Sequence, residues 1–213
     1  MSTDHNAVLN AEARRVLKPL GLVRQGKSRV WIDDHGWWAI QVEFQPSAWS
    51  KGSYLNVGLN WLLYEGGAGA FNIGSRVDVP FIEADGNANF EDDAKNLALR
   101  AKDEVEQLRA RFSTLEAGIS HYRNDGRRQI WDDYYFGVLL GLAGDTANAV
   151  TAFRSVPTHR QEYGWEKALA QRASELQTLV TEYAAFIATI RGIVRRTRSI
   201  GNLPDWAADL VFQ

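Results

Sequence analysis

The chain has 213 residues, 45% hydrophobic and 23% charged, with a formal net charge of -2, a globular composition that excludes an intrinsically disordered chain. The acidic balance, with a sequence pI near 6.1, excludes a global basic field and argues against nucleic acid as a partner. Cysteine is absent, which excludes disulfides, thiolate catalysis and cysteine-based metal sites and is compatible with a reducing cytoplasm, the expected location.

The N-terminus, Met1-Ser2-Thr3-Asp4-His5-Asn6, has neither a basic region nor an apolar run, so it is not expected to act as a signal peptide. No stretch approaches the roughly 18 uninterrupted apolar residues of a membrane span, so no membrane partner is expected. Eight tryptophans against one methionine point to aromatic filling of a core or rimming of a pocket. The length suits one domain with an appendage, or two small domains sharing a core.

Residues 3 to 20 read as a helix, with Val8, Leu9, Ala13, Val16, Leu17 and Leu20 at three- and four-residue steps, Thr3 or Asp4 as cap and Gly21 as stop. Strands follow. Val23 to Ile32 reads as the first, turning through Asp33-Asp34-His35-Gly36. Trp38, Ile40, Val42 and Phe44 alternate with Ala39, Gln41, Glu43 and Gln45, and Leu55, Val57, Leu59, Trp61 and Leu63 alternate with Asn56, Gly58, Asn60 and Leu62. Such period-two patterning argues for half-buried antiparallel strands. Gly66-Gly67-Ala68-Gly69 reads as a flexible connection, and Val77, Val79 and Phe81 suggest a further strand that Pro80 would place at an edge.

Near Asp85-Gly86-Asn87 the period changes. Phe90, Leu97, Ala101, Val105, Leu108, Phe112, Leu115 and Ile119 predict one long helix capped by Asn87 or Asn89, ended by Asn124-Asp125-Gly126. A helical hairpin is predicted over about 127–143 and 145–156, then a second long helix from Glu162 to Arg198. Gly137, Gly144, Ala149 and Phe153 sit at small, turn, small and aromatic positions, so the hairpin resembles half of a tetratricopeptide unit. Only one copy is visible, and arrays of that kind need about three, so it reads as a hairpin packed on its neighbours.

Several motifs carry candidate chemistry. Gly21-Leu22-Val23-Arg24-Gln25-Gly26-Lys27-Ser28 matches the phosphate-loop pattern G-x-x-x-x-G-K-[ST] letter for letter. That chemistry needs a strand before the loop and a helix after it, and here a helix precedes and strand-like residues follow. The histidines at 5, 35, 121 and 159 form no ligand pair, so neither a metal site nor a cofactor is expected, and Asp33-Asp34-His35 reads as a polar turn. Asp132-Asp133 reads as solvated helix surface. Arg191, Arg195, Arg196 and Arg198 read as cations placed favourably at a helix C-terminus.

The most informative set lies on the polar phase of two strands: Gln41, Glu43 and Gln45 on one, Tyr54, Asn56, Gly58 and Asn60 on the other. Asn and Gly are poor strand formers, so an unselected solvent face would more readily carry Thr, Lys or Arg. Clustered amides suit hydrogen bonding to an uncharged polar ligand or to an extended peptide backbone. Trp37, Trp49 and Tyr64 are candidates for its rim. The alternative is that helices cover this face and the amides satisfy buried backbone groups.

Leu17-Lys18-Pro19-Leu20-Gly21-Leu22, Phe44-Gln45-Pro46-Ser47 and Tyr54-Leu55-Asn56-Val57-Gly58 together resemble a bacterial family of unknown function. Its pattern is a helix ending in a Leu-Pro-Leu-Gly-Phe-like turn, tryptophan-bearing strands, Gln-x-Ser, and an aromatic-x-Asn-x-Gly strand. The resemblance spans residues 9–64 and departs at Leu22, where an aromatic is usual. It implies a shared α+β fold and no activity.

The expected architecture is α+β: an N-terminal helix, a small mainly antiparallel sheet of about four strands, then a helical region with two long helices and a hairpin, divided at 85/86 into subdomains of one compact unit. The first helix should pack on Trp38, Ile40, Leu55 and Leu59. The leading functional expectation is a non-enzymatic bacterial cytoplasmic protein that binds another protein or a small polar ligand through Gln41, Glu43, Gln45, Asn56 and Asn60. The alternatives are a hydrolase with a site assembled from Glu43, His35 and the Asp33-Asp34 turn, and nucleotide binding through Gly26-Lys27-Ser28.

Overall fold

A computed structural model of the chain describes residues 4–65, 71–124, 128–205 and 212. The elements in chain order are α1 (His5–Leu17), β1 (Val23–Arg24), β2 (Val30–Asp34), β3 (Trp38–Gln45), β4 (Gly52–Trp61), β5 (Ile73–Arg76), β6 (Ile82–Glu83), α2 (Phe90–Arg111), α3 (Leu115–Asn124), α4 (Ile130–Leu142), α5 (Thr146–Ser155), α6 (Gly164–Leu179) and α7 (Tyr183–Ile200). The fold is α+β. The glycine-rich run 66–69 and most of the turn after α3 lie outside the described residues.

The Asp4 carboxylate caps α1 by accepting from the Asn6 N–H at 3.0 Å. After one 3-10 turn, Lys18–Leu20, the chain leaves the helix through Gly21 at φ 93°, a conformation glycine adopts without steric cost. The sheet runs β1-β2-β3-β4-β5, with β6 paired to β4. Pairing is antiparallel between β1 and β2, β2 and β3, β4 and β5, and β4 and β6. There are more strands than the four expected, for two local reasons. Val23 to Ile32 is a tight hairpin rather than one strand, and the expected strand over 77–81 is replaced by the short strands β5 and β6 on either side of it.

The chain divides into two compact units: Met1–Asn60 with Ala68–Ala110, and Trp61–Gly67 with Arg111–Gln213. This division differs from the one expected at 85/86, because α2 belongs with the sheet.

In the first unit, the inner face of the sheet carries Trp31, Ile40, Val42, Phe44, Leu55, Val57 and Leu59, all buried. Arg29 lies in phase with Trp31 and donates to Asn6 of α1. Asp33, also in phase with Trp31, is bound by Arg109 of α2. Both helices therefore lie over this inner face, with Leu9, Ala13, Val16 and Leu17 of α1 and Ala94, Leu97, Ala98, Ala101 and Val105 of α2 buried.

In the second unit, α4 is buried almost all round. Gly137 meets Phe153 of α5, and Gly141 meets Phe186 of α7. The strip before the glycine run is tied to these helices. The Trp61 indole N–H donates to the Tyr122 hydroxyl at 2.8 Å, and the Tyr134 hydroxyl donates to the Leu63 carbonyl at 3.0 Å. Glu65 accepts from Arg172 at 3.3 Å and from Arg196 Nε at 2.6 Å. Neither long helix is continuous. The first breaks at Phe112-Ser113-Thr114, where Thr114 Oγ1 accepts from the Ala117 N–H at 3.2 Å and starts α3. The second breaks at Val180-Thr181-Glu182 between α6 and α7.

Candidate functional site

Ladder pairing fixes which side chains share a face. Val30 opposes Glu43, Ile32 opposes Gln41 and Asp33 opposes Ile40. Gln41, Glu43 and Gln45 therefore project from the outer face, away from α1 and α2, because residues paired across a ladder point the same way. Asn56 opposes Arg76 of β5, which adds a cation to the same face.

The five expected residues are brought together. Asn56 Nδ2 donates to Glu43 Oε2 and to Gln45 Oε1, both at 3.0 Å. Arg76 Nη2 donates to the same Gln45 oxygen at 2.7 Å, and its guanidinium lies 3.9 Å from the centre of the Tyr54 ring. Asn60 Nδ2 approaches Gln41 Oε1 at 3.5 Å, the limit of a hydrogen bond. Asn56 and Asn60 are 9% and 7% exposed, whereas Gln41, Glu43 and Gln45 are half-buried. The amides thus bond to one another through side-chain atoms rather than to buried backbone. Gly58, between the two asparagines, lies under the Phe71 ring, which occupies the space of a Cβ.

The bonding leaves a defined remainder. Each Gln accepts through its oxygen, so its NH2 group is left to donate. Each Asn donates through Nδ2, so its oxygen is left to accept. The one buried side-chain polar atom without a partner among the described residues is Trp31 Nε1, on the other face. Among the described residues, no unused amide atom of this face is buried without a partner. Of the candidate rim, Trp49 is 95% exposed on the loop after β3, Trp37 is buried, and Tyr64 packs edge-on to Trp131 and Tyr134 within the second unit. Tyr54 and Arg76 border the amides instead. Arg76 carried no signal in the sequence, because β5 lacks the alternation that marks the other strands.

The acid/base constellation is not assembled. Glu43 is on the outer face and Asp33 on the inner one. Asp33 accepts from Arg109 Nε and Nη2, each at 2.7 Å, and lies 2.8 Å from His35 Nε2. Burial alone would raise its pKa, but the hydrogen bonds and charges of Arg109 and His35 outweigh that and hold the carboxyl below its usual range. A carboxylate so held is a structural anion rather than a proton donor. His35 stacks on Trp38 at 3.9 Å.

The phosphate-loop-like segment is the β1–β2 hairpin. The Ser28 N–H donates to the Gln25 carbonyl, and so does the Ser28 hydroxyl, while Arg24 donates to the Lys27 and Ser28 carbonyls at 2.8 and 2.6 Å. A strand rather than a helix follows it, so the helix that a phosphate loop requires after it is missing from this position.

Two surface readings are corrected. Asp133 is buried, 2.7 Å from His159 Nε2 and 3.4 Å from Arg128, because the turn after α5 folds back over α4. Arg198 is buried and donates to the Pro204 carbonyl, and Arg196 pairs with Glu65, so these two arginines have structural partners beyond a helix end. Among the described residues no group of three or more His, Asp or Glu could hold a metal ion, and no helix is long and apolar enough to cross a membrane. Comparison with protein-family models, with curated proteins and with solved structures found no match to this chain.

Proposed function

We propose that the protein is a non-enzymatic binding protein of the bacterial cytoplasm that holds an extended, polar partner segment on the outer face of β3 and β4. The observation that carries this reading is the pattern of unused amide atoms. Gln41 and Gln45 keep N–H donors, Asn56 and Asn60 keep carbonyl acceptors, and the internal bonds hold all four side chains in place. An extended peptide presents the complementary sequence of carbonyls and N–H groups. Fixing the amides in advance lowers the ordering cost of binding. Arg76 over Tyr54 adds a flat surface at one border of the face. A small uncharged polar ligand would use the same atoms.

The test is the pair Asn56→Thr and Asn60→Thr, since Thr is the better strand former and remains polar. Each variant is melted and used for affinity capture beside the unmodified protein, with co-purifying partners identified. Lost capture with melting unchanged or raised supports the reading. Lowered melting with capture retained on the folded fraction assigns these amides to the scaffold.

A further inference from the structure

We propose that the segment held on the outer face carries a basic and an acidic side chain two residues apart, the basic one on Glu43 and the acidic one on Arg76; this names the partner of the amide face and rests on that reading. Four side chains form one bonded row across the strands. Arg76 Nη2 donates to Gln45 Oε1 at 2.7 Å, and Asn56 Nδ2 donates to the same oxygen and to Glu43 Oε2, each at 3.0 Å. Asn56 thereby uses both amide hydrogens, and the Gln45 oxygen uses both lone pairs. The row is saturated within and charged at its ends, with a carboxylate on β3, a guanidinium on β5 and neutral amides between. The Tyr54 ring, 3.9 Å from the Arg76 guanidinium, seats the cationic end.

Neither end is neutralised within the described residues. Glu43 is bonded by the Asn56 amide, and Arg76 by the Gln45 amide and the Tyr54 ring, with no ion pair at either. The link 66–70 between β4 and β5, outside the described residues, is glycine and alanine only and brings no charge. Glu43 keeps Oε1 to accept, and Arg76 keeps Nε and Nη1 to donate. Glu43 is half-buried among amides, where a cation that brings its own N–H makes a charge-assisted bond. The spacing follows from the sheet. β4 lies between β3 and β5, so the two ends are rooted about 10 Å apart, two strand spacings. Side chains two apart on an extended segment share a face at about 7 Å, whereas adjacent ones point to opposite sides. Long charged side chains cover the difference. The segment therefore crosses the strands, with its lysine or arginine over β3 and its aspartate or glutamate over β5.

The experiment uses the full chain and three capped peptides: Thr-Thr-Lys-Thr-Glu-Thr-Thr, its isomer Thr-Thr-Lys-Glu-Thr-Thr-Thr with the charges on opposite sides, and the neutral Thr-Thr-Gln-Thr-Gln-Thr-Thr. The side-chain amide resonances of Gln45 and Asn56 are followed by NMR. Saturable displacement by the first peptide is expected, with the isomer and the neutral peptide roughly tenfold weaker. Glu43→Gln and Arg76→Gln, each checked by melting, should bring the first peptide down to the level of the neutral one. A neutral peptide or an isomer that binds as tightly as the first, and is lost in Asn56→Thr, overturns the charge pattern and leaves the amide reading standing. Binding of the first peptide that answers to Glu43→Gln and Arg76→Gln but not to Asn56→Thr supports the charge pattern and sinks the amide reading. No displacement by any of the three peptides overturns both.

Discussion

Gly137 of α4 and Phe153 of α5 are mutually exclusive with any side chain at position 137: a Cβ there would lie 2.7 Å from the ring of Phe153. The hairpin closes only because one helix presents bare backbone to an aromatic ring on the other. Gly137→Ala is therefore expected to destabilise by about 1–3 kcal/mol through overpacking, although Ala is otherwise the better helix former. Chemical denaturation measures it. The double variant Gly137→Ala with Phe153→Leu should recover part of the loss, and no recovery would place the strain elsewhere.

Trp61 is buried, donates to the Tyr122 hydroxyl and sits edge-on to Phe112 at 5.9 Å. Trp61→Ala is expected to cost about 3–5 kcal/mol. Tyr122→Phe removes the hydroxyl that accepts from the indole N–H and should cost about 1–3 kcal/mol. A Trp61 loss below about 1 kcal/mol would contradict a core role.

Asp33 joins β2 to α2 through Arg109. Its carboxyl has a lowered pKa in the folded protein, so the pair's contribution is present above the unfolded value, about 4, and is lost as pH falls through the folded one. Asp33→Asn is expected to cost roughly 1.5–3 kcal/mol at neutral pH, toward the lower end because Arg109 is partly exposed. The difference between the two proteins should stay constant down to about pH 4 and shrink below it. A difference that grows on acidification would reverse the assignment.

The Gly21–Ser28 segment should show no saturable Mg-nucleotide binding by calorimetry. The polar groups of Arg24 and Ser28 already close the β1–β2 turn, and a strand rather than a helix follows it. Micromolar affinity lost in Lys27→Ala would refute this.

How much was legible depended on the range of the interaction. Local rules placed α1 between Asp4 and Gly21, fixed β3 at Trp38–Gln45, and set the α4–α5 hairpin from its small and aromatic positions. The breaks at Ser113-Thr114 and Thr181-Glu182 were hidden because the apolar rhythm resumes across them; the capping hydroxyl of Thr114 was the available signal. The amide cluster was legible because its residues are unsuited to strands and alternate with an apolar phase. Arg76 and Arg109 were not, since an arginine reads as a solvated cation until its partner, here 31 residues from Gln45 and 76 from Asp33, is known.

The interleaving of the two units along the chain bears on how the protein is made. The six strands are complete at Glu83, but the unit they belong to extends to Ala110 and includes α2. A ribosome adding about 5–20 residues per second needs on the order of seconds to cover that interval. During it, a finished sheet with Trp31, Ile40, Val42 and Leu55 on one face awaits the helix that shields them. Trimming the gene at residue 85 would make that exposure permanent, and the shortened product should be recovered with chaperones or in aggregates rather than as a folded domain.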